Sequence, residues 1–426
     1  TRYPAYYQLR YASNPDFSID SLAIPALKDF SIARFLFIQE KLYCLVVSKG
    51  KQNWIPLDVT NVEHYIKQLS SPTVTAGETY TIAHALYKNL WQPLEAHINT
   101  KRVIVIPDGI LYYLSFDMLT HTKCKTNTDF ASLSLLSRYA ISYHYSLLAL
   151  LQQTKHNQQK RSSGFAAFTP GFNDDIKKQY RSALKKDSLN IDNAYLSLLP
   201  LPFSVSLAQK ATQLFPGNLY AGASSTQSSF KQYAGNHAII HIGTHAEANN
   251  QYPEYSRLIF AKDLENPTSD NSLYLFDIYN YDLRADLAVL TACETGKPGF
   301  FPGEGMISMA HAFNYAGSES ILTGLWKIDE QASTMITQFF YDNLAKGMTK
   351  DEALRQAKLA YLSTAEGRML APQYWAGLVI MGDTAPIEIK QTGWLKKNWW
   401  LFAVLIISGT TITLYYYNNR NRKALS

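Results

Sequence analysis

Ala238-Ile-Ile-His-Ile-Gly-Thr-His-Ala246 and Leu287-Ala-Val-Leu-Thr-Ala-Cys-Glu-Thr-Gly296 decide how this chain of 426 residues is read. Each opens as an unbroken apolar run, the pattern of a strand buried on both faces of a sheet. Ser320-Ile-Leu-Thr-Gly-Leu325 and Gly377-Leu-Val-Ile-Met-Gly382 are two more runs of the same kind. Helical patterns lie between the later runs. Met306 to Tyr315 places Met306, Met309, Ala310 and Phe313 on one face, and Asp329 to Leu344 does the same with Met335, Ile336, Phe339, Phe340 and Leu344. Thr349 to Leu362 opens with Thr349 and Glu352, spaced as a capping box. Strands alternating with helices predict an α/β fold, a parallel sheet with helices on both faces.

Sites in such sheets form beyond the carboxyl ends of the strands. His245 leaves the end of the first run and Cys293 the end of the second, 48 residues later. If the two strands are neighbours, the side chains can face one another. A Cys–His pair is the minimum for a thiol nucleophile, because the imidazole lowers the thiol pKa and then protonates the leaving group. Gly243, Ala246 and Gly296 are small enough to let backbone N–H groups approach a substrate carbonyl. His241 lies inside its strand and reads as a buried or supporting residue. His241 and His245 do not share a helix face, and Cys44 and Cys124 have no CxxC partner, so neither a metal nor a cofactor is expected. Gly-x-Ser-x-Gly and phosphate-loop motifs are absent.

Working outward, Ala33 to Ile38 and Leu42 to Val47 read as a hairpin, Ile82 to Leu94 as a helix, and Arg102 to Pro107 as a strand entering the turn Pro107-Asp-Gly109. Leu151 to Ser163 is polar and reads as a connector; Asn173 to Asn193 reads as a surface loop or exposed helix. Hydrophobic residues make up 46% and charged residues 17%, which permits a sizeable core and excludes a disordered chain. Three cysteines exclude a disulfide-stapled scaffold and favour a reducing compartment. The net charge is +6, but no Lys/Arg run exceeds two residues, so no nucleic-acid partner is expected.

Trp399 to Tyr417 is nineteen residues without a charge. As a helix it would span roughly 28 Å, close to a bilayer's hydrocarbon core. Trp394, Trp399 and Trp400 lie at one end and Tyr415 to Tyr417 at the other, an aromatic belt for a single membrane-spanning helix that anchors the chain in a lipid bilayer. The charges on its two sides are balanced and do not orient it. Tyr3, Tyr6, Tyr7, Leu9 and Tyr11 resemble the end of an amphipathic element, and the chain is expected to be the C-terminal part of something longer.

The strings His241-Ile-Gly-Thr-His-Ala246 and Val289-Leu-Thr-Ala-Cys-Glu-Thr-Gly296 resemble the two signature segments of the CHAT domain, a family of the caspase, separase and gingipain clan of cysteine peptidases. Val103 to Asp117, Ala140-Ile-Ser-Tyr-His-Tyr-Ser146, Gly303-Glu-Gly305, Ala316-Gly317 and Leu325-Trp326-Lys-Ile-Asp329 resemble its other landmarks, and the match runs from about residue 30 to about residue 385. The resemblance implies a caspase-like sheet with helices on both faces, at residues 164–388, preceded by a pseudo-caspase-like subdomain at 26–150. Residues 1–25 would be a linker or the end of a helical region, 151–163 a connector, 389–398 a juxtamembrane linker, 399–417 the membrane helix and 418–426 a short tail.

The roles it implies are His245 as base and Cys293 as nucleophile, with the backbone N–H groups of Ala246 and Cys293 as the oxyanion hole. Ala246 stands where the family usually has Gly, which a positive φ would strain. Glu294, Glu304, Trp326, Asp286 and Asp329 are candidates for the substrate pocket; a cap or surface charge is the alternative for the acids. The expected function is a bacterial membrane-anchored cysteine endopeptidase with its soluble domain on the cytoplasmic side. It would cleave a protein substrate and be gated by a sensor region or partner of the tetratricopeptide (TPR) type. A non-catalytic signalling scaffold on a membrane and an acyl transferase using the same dyad are the rivals.

Overall fold

The structure is a computed structural model that describes residues 27–69, 74–156, 163–184, 191–249, 251–291, 299–301, 305–307 and 309–388. Residues 1–25 and the expected membrane segment 399–417, with its flanks 389–398 and 418–426, lie outside the described residues. Among the described residues no helix is long and apolar enough to cross a membrane.

The first strands are β1 (Phe30–Ile38), β2 (Lys41–Ser48), β3 (Lys51–Leu57), β4 (Arg102–Ile106) and β5 (Ala140–Tyr143). β1 and β2 form the expected hairpin, with Gln39 in the left-handed region at its turn. The chain continues with β6 (Phe165–Thr169), β7 (Gly217–Ala221), β8 (Ile239–Ile242), β9 (His245–Glu247), β10 (Arg257–Ile259), β11 (Ser272–Tyr274) and β12 (Leu287–Leu290). The last four are β13 (Gly299–Phe301), β14 (Gly305–Ile307), β15 (Ser320–Gly324) and β16 (Leu378–Gly382). Eleven of these make one sheet, in the order β3-β2-β1-β4-β5-β16-β15-β12-β8-β6-β7. Residues 27–150 thus contribute five adjacent strands and residues 164–388 six, and the two blocks meet at one register pair, Tyr143 with Met381.

The helices used below are α1 (Ala76–Leu86), α2 (Leu147–His156), α3 (Pro202–Leu214), α4 (Met309–Tyr315), α5 (Glu330–Ala345) and α6 (Lys350–Thr364). Strand alternation explains why both sheet faces are covered. In β1, Ala33 and Phe35 join the core that includes Ile82 and Leu86 of α1. Ile32 turns the other way, into a second cluster with Ile104, Leu150 and Leu151. In β8, Ile240 and Ile242 share the first core with Ala310 and Phe313 of α4, while His241 meets Tyr341 of α5 on the opposite face. The polar stretch expected as a connector begins inside α2, and residues 157–162 lie outside the described residues.

Three expectations are corrected. The sheet is mixed and mostly parallel: β16 runs antiparallel to β15, with Ser320 opposite Gly382. α5, α6, a 3-10 turn (Gly367–Leu370) and a short helix (Pro372–Trp375) separate these strands. α5 and α6 are joined by a short connection and form a helical hairpin, with Asn343 Nδ2 donating to the Ala353 carbonyl at 3.1 Å. A hairpin returns the chain to the edge where β15 ended, so the next strand must run back. Met306 belongs to β14, paired with Phe300, and α4 starts only at Met309. Thr349 occupies the N-cap of α6 but its side chain makes no capping bond, and Glu352 bonds Arg355 and Gln356 instead.

Candidate functional site

β8 and β12 are parallel neighbours, with Ile242 opposite Leu290. The condition for His245 and Cys293 to face one another is therefore met at the level of the strands. The Thr291 N–H continues the ladder to the Ile242 carbonyl at 3.2 Å. Cys293 itself, with Glu294 and Glu304, lies outside the described residues.

His245 opens β9, opposite Ile259 of β10. Its ring lies 5.1 Å, centroid to centroid, from that of Phe172, a fully buried residue whose φ is 49°. A left-handed Phe costs roughly 1–2 kcal/mol, so packing holds this ring against the histidine at some strain. The imidazole Nε2 is 2.8 Å from the Leu199 carbonyl oxygen. A backbone carbonyl can only accept, so Nε2 carries the hydrogen of the neutral ring and Nδ1 keeps the lone pair. Burial pushes the His245 pKa below the ordinary histidine value. The Leu199 bond opposes that shift, Lys327 and Lys177 add to it, and Glu247 opposes it. The result is a ring whose neutral form is favoured, oriented by a backbone acceptor, with Nδ1 left as its basic nitrogen.

The other two thiols do not compete. Cys44 is buried in β2 and Cys124 is also buried. Burial raises both thiols, Cys124 to about 11 and Cys44 further, which removes thiolate character near neutrality.

The remaining candidates divide. Ala246 lies in extended β9 opposite Leu258 and is not among the residues with positive φ, so alanine is unstrained there and the expected penalty is absent. Trp326 follows β15 at the same sheet edge as His245. Its indole N–H donates to the Gln373 carbonyl at 3.1 Å, and it packs so closely on Gly377 that an added Cβ would lie 2.6 Å from the ring. Asp329 is the N-cap of α5, accepting from the Ala332 N–H at 3.0 Å. Asp286 is buried at the amino end of β12, where its carbonyl accepts from the Ser320 hydroxyl at 2.5 Å. That is the opposite end of the strand from Thr291, so Asp286 is not brought to His245. Gly243 is also reassigned. Its N–H is committed to the Phe168 carbonyl at 3.0 Å, and its missing side chain makes room for Ser204, whose Oγ lies 1.8 Å from where a Cβ would be.

His241 is fully buried, with Nδ1 2.9 Å from the Tyr341 hydroxyl and its ring near Phe165, and burial lowers its pKa to about 3. Its burial is the one expected of it. Sequence reasoning missed Leu199, Phe172 and Ser204; the prolines flanking Leu201 were the one visible sign that residues 199–202 form a stiff segment. Among the described residues no group of three His, Cys, Asp or Glu side chains could hold a metal ion.

The family model described as the CHAT domain matches residues 81–383, well over half of the chain. The chain belongs to the CHAT domain family. That CHAT region spans every element of the site described above. Among curated relatives, tetratricopeptide repeat protein 28 of Mus musculus is 28% identical over 134 residues, 30% of this chain and 5% of that protein. The Homo sapiens protein of the same name is 29% identical over 123 residues, 29% of this chain and 5% of that protein. The chain thus aligns to only a small part of these relatives. Among solved structures, the CHAT chain is similar to the Saccharomyces cerevisiae separase–securin complex, with a TM-score of 0.47 and 8% identity, covering 83% of this chain and 30% of that one. It is also similar to the Arg-specific cysteine proteinase gingipain R, with a TM-score of 0.42 and 10% identity, covering 77% of this chain and 75% of that one.

Proposed function

We propose that this CHAT protein is a cysteine endopeptidase of the caspase-like clan, with Cys293 as nucleophile and His245 as general base. The observation that carries the reading is the state of His245: a neutral ring at the carboxyl edge of β8, Nε2–H held by the Leu199 carbonyl, beside the strand that leads to Cys293. Nδ1 takes the thiol proton, and the thiolate attacks the substrate carbonyl. The oxyanion is received by the N–H groups of Ala246 and Cys293. His245 then protonates the departing amine. Water cleaves the thioester that remains and regenerates the thiol. Trp326 walls the substrate pocket, with Glu294, Glu304 and Asp329 around it.

In this reading residues 399–417 anchor the chain in the membrane, and the domain faces the reducing cytoplasm. An activating region or partner of the tetratricopeptide type gates it, a suggestion supported by the name of the curated relatives.

The test is intact-mass labelling with a peptide acyloxymethyl ketone, run on washed membranes and on a chain ended at Glu388. One adduct on the wild type is expected, absent from Cys293→Ala and His245→Ala, sedimenting with membranes only when residues 389–426 are present. No adduct with or without a tetratricopeptide partner would replace the enzyme by the scaffold reading.

A further inference from the structure

α3 begins without a cap of its own. Its N-cap residue, Leu201, makes no side-chain hydrogen bond, and its first helical residue is Pro202. The orphan N–H groups of the first turn are instead received from far along the chain: the Glu330 carboxylate accepts from the Phe203 and Ser204 N–H groups, each at 3.1 Å. A carboxylate at this place satisfies two donors and the positive end of the helix dipole together.

The segment so anchored is the one that touches His245. Leu199 offers its carbonyl to the imidazole, Pro200 and Pro202 fix two of the backbone angles between that carbonyl and the anchored turn, and the Leu201 N–H bonds the Gly171 carbonyl at 2.8 Å. Ser204 seats against Gly243, two residues before His245. Glu330 in turn is the first residue of α5, directly after the loop from Trp326 to Asp329 that follows β15.

We propose that Glu330 is a positioning residue: by clamping the first turn of α3 it holds the 199–204 strap in place, so that the Leu199 carbonyl keeps His245 in its Nε2–H tautomer and orientation. This rests on His245 being the base in the reading above. Glu330 touches no substrate; it acts through the strap. It also ties the loop that carries Trp326 to the histidine, so a displacement of either is felt by the other. Burial raises the Glu330 pKa above the ordinary carboxylate value and the neighbouring Asp329 charge adds to the rise; the two backbone N–H bonds oppose it without cancelling it.

The experiment is 15N NMR of the full chain labelled at histidine nitrogen, with the His245 signals assigned from His245→Ala. The wild type is expected to show Nε2 protonated and Nδ1 bare. Glu330→Ala should convert this to a mixture of tautomers, and Glu330→Gln, whose amide oxygen still accepts, should restore the wild-type signals. Pro200→Gly, which loosens the strap without touching Glu330, should also give the mixture. In the labelling assay, Glu330→Ala should slow adduct formation by about tenfold to a hundredfold, the upper figure being the scale of a catalytic group misplaced by about 1 Å. Unchanged His245 signals in both Glu330→Ala and Pro200→Gly would overturn the clamp. The tautomer is read without turnover, so this outcome is separate from failure of the peptidase reading.

Discussion

His245 works as a base only if it stays neutral, and its surroundings favour that state. The folded pKa lies below the unfolded value of about 6.5 because burial against Phe172 disfavours the cation. The sign of the linkage follows: the stability from burying a neutral ring is full above that unfolded value and is lost as pH falls from there toward the folded pKa. His241, lowered to about 3, behaves the same way over a wider range. Titrating His245 by NMR in a Cys293→Ala chain, where no thiol complicates the curve, should give a midpoint below the ordinary histidine value. A midpoint above it would mean that the Leu199 bond and Glu247 outweigh burial and the lysines. Ala246 shows where a resemblance misleads at this scale. A residue that replaces glycine invites an argument from φ, yet the backbone there is an ordinary strand.

The elements that carry the site were legible where the signal was local. β8, β12 and β15 are continuous apolar runs, and the rule that sites open at carboxyl strand ends pointed to His245 and to the strand before Cys293. What was not legible acts at a distance or through the backbone. A carbonyl acceptor such as that of Leu199 has no side-chain signature, and Glu330 caps a helix 126 residues earlier in the chain. The direction of β16 depended on how the two helices read after β15 pack together as a hairpin, and not on its own composition. Gly243 is the sharpest element-level test. Gly243→Ala drives a methyl into Ser204 and should destabilise by about 1–3 kcal/mol, measured by urea unfolding. Ser204→Ala alone should cost little, since its buried Oγ has no hydrogen-bond partner among the described residues. Combining the two should recover part of the loss, since Thr169 Cγ2 and His241 Nε2 still lie 3.0 and 3.1 Å from the added methyl; no recovery would sink the steric explanation.

Over the whole molecule, the two blocks of the sheet are fastened by α6. Arg102 at the start of β4 makes a bidentate pair with Asp351, at 2.6 and 2.8 Å, and Arg355 donates to the Leu136 and Ser137 carbonyls at 2.9 and 2.8 Å. Lys358 pairs with Asp117 out of solvent. Removing one member of such a buried pair strands the other charge, so Asp117→Ala should cost about 3–5 kcal/mol. Replacing both with Asp117→Leu and Lys358→Met should restore most of it, and a double variant as unstable as the single would refute the charge argument. The β5–β16 junction also sets the order of events during synthesis. β5 is complete at Tyr143, but the strand that covers it ends 239 residues later, at Gly382. At about 5–20 residues per second, the ribosome needs roughly 10–50 s to deliver that strand. Until then β5 and β15 are open edges inviting pairing with other chains. The centre of the sheet is the last part to close, and a nascent chain stalled before Leu378 would be the form most in need of a chaperone.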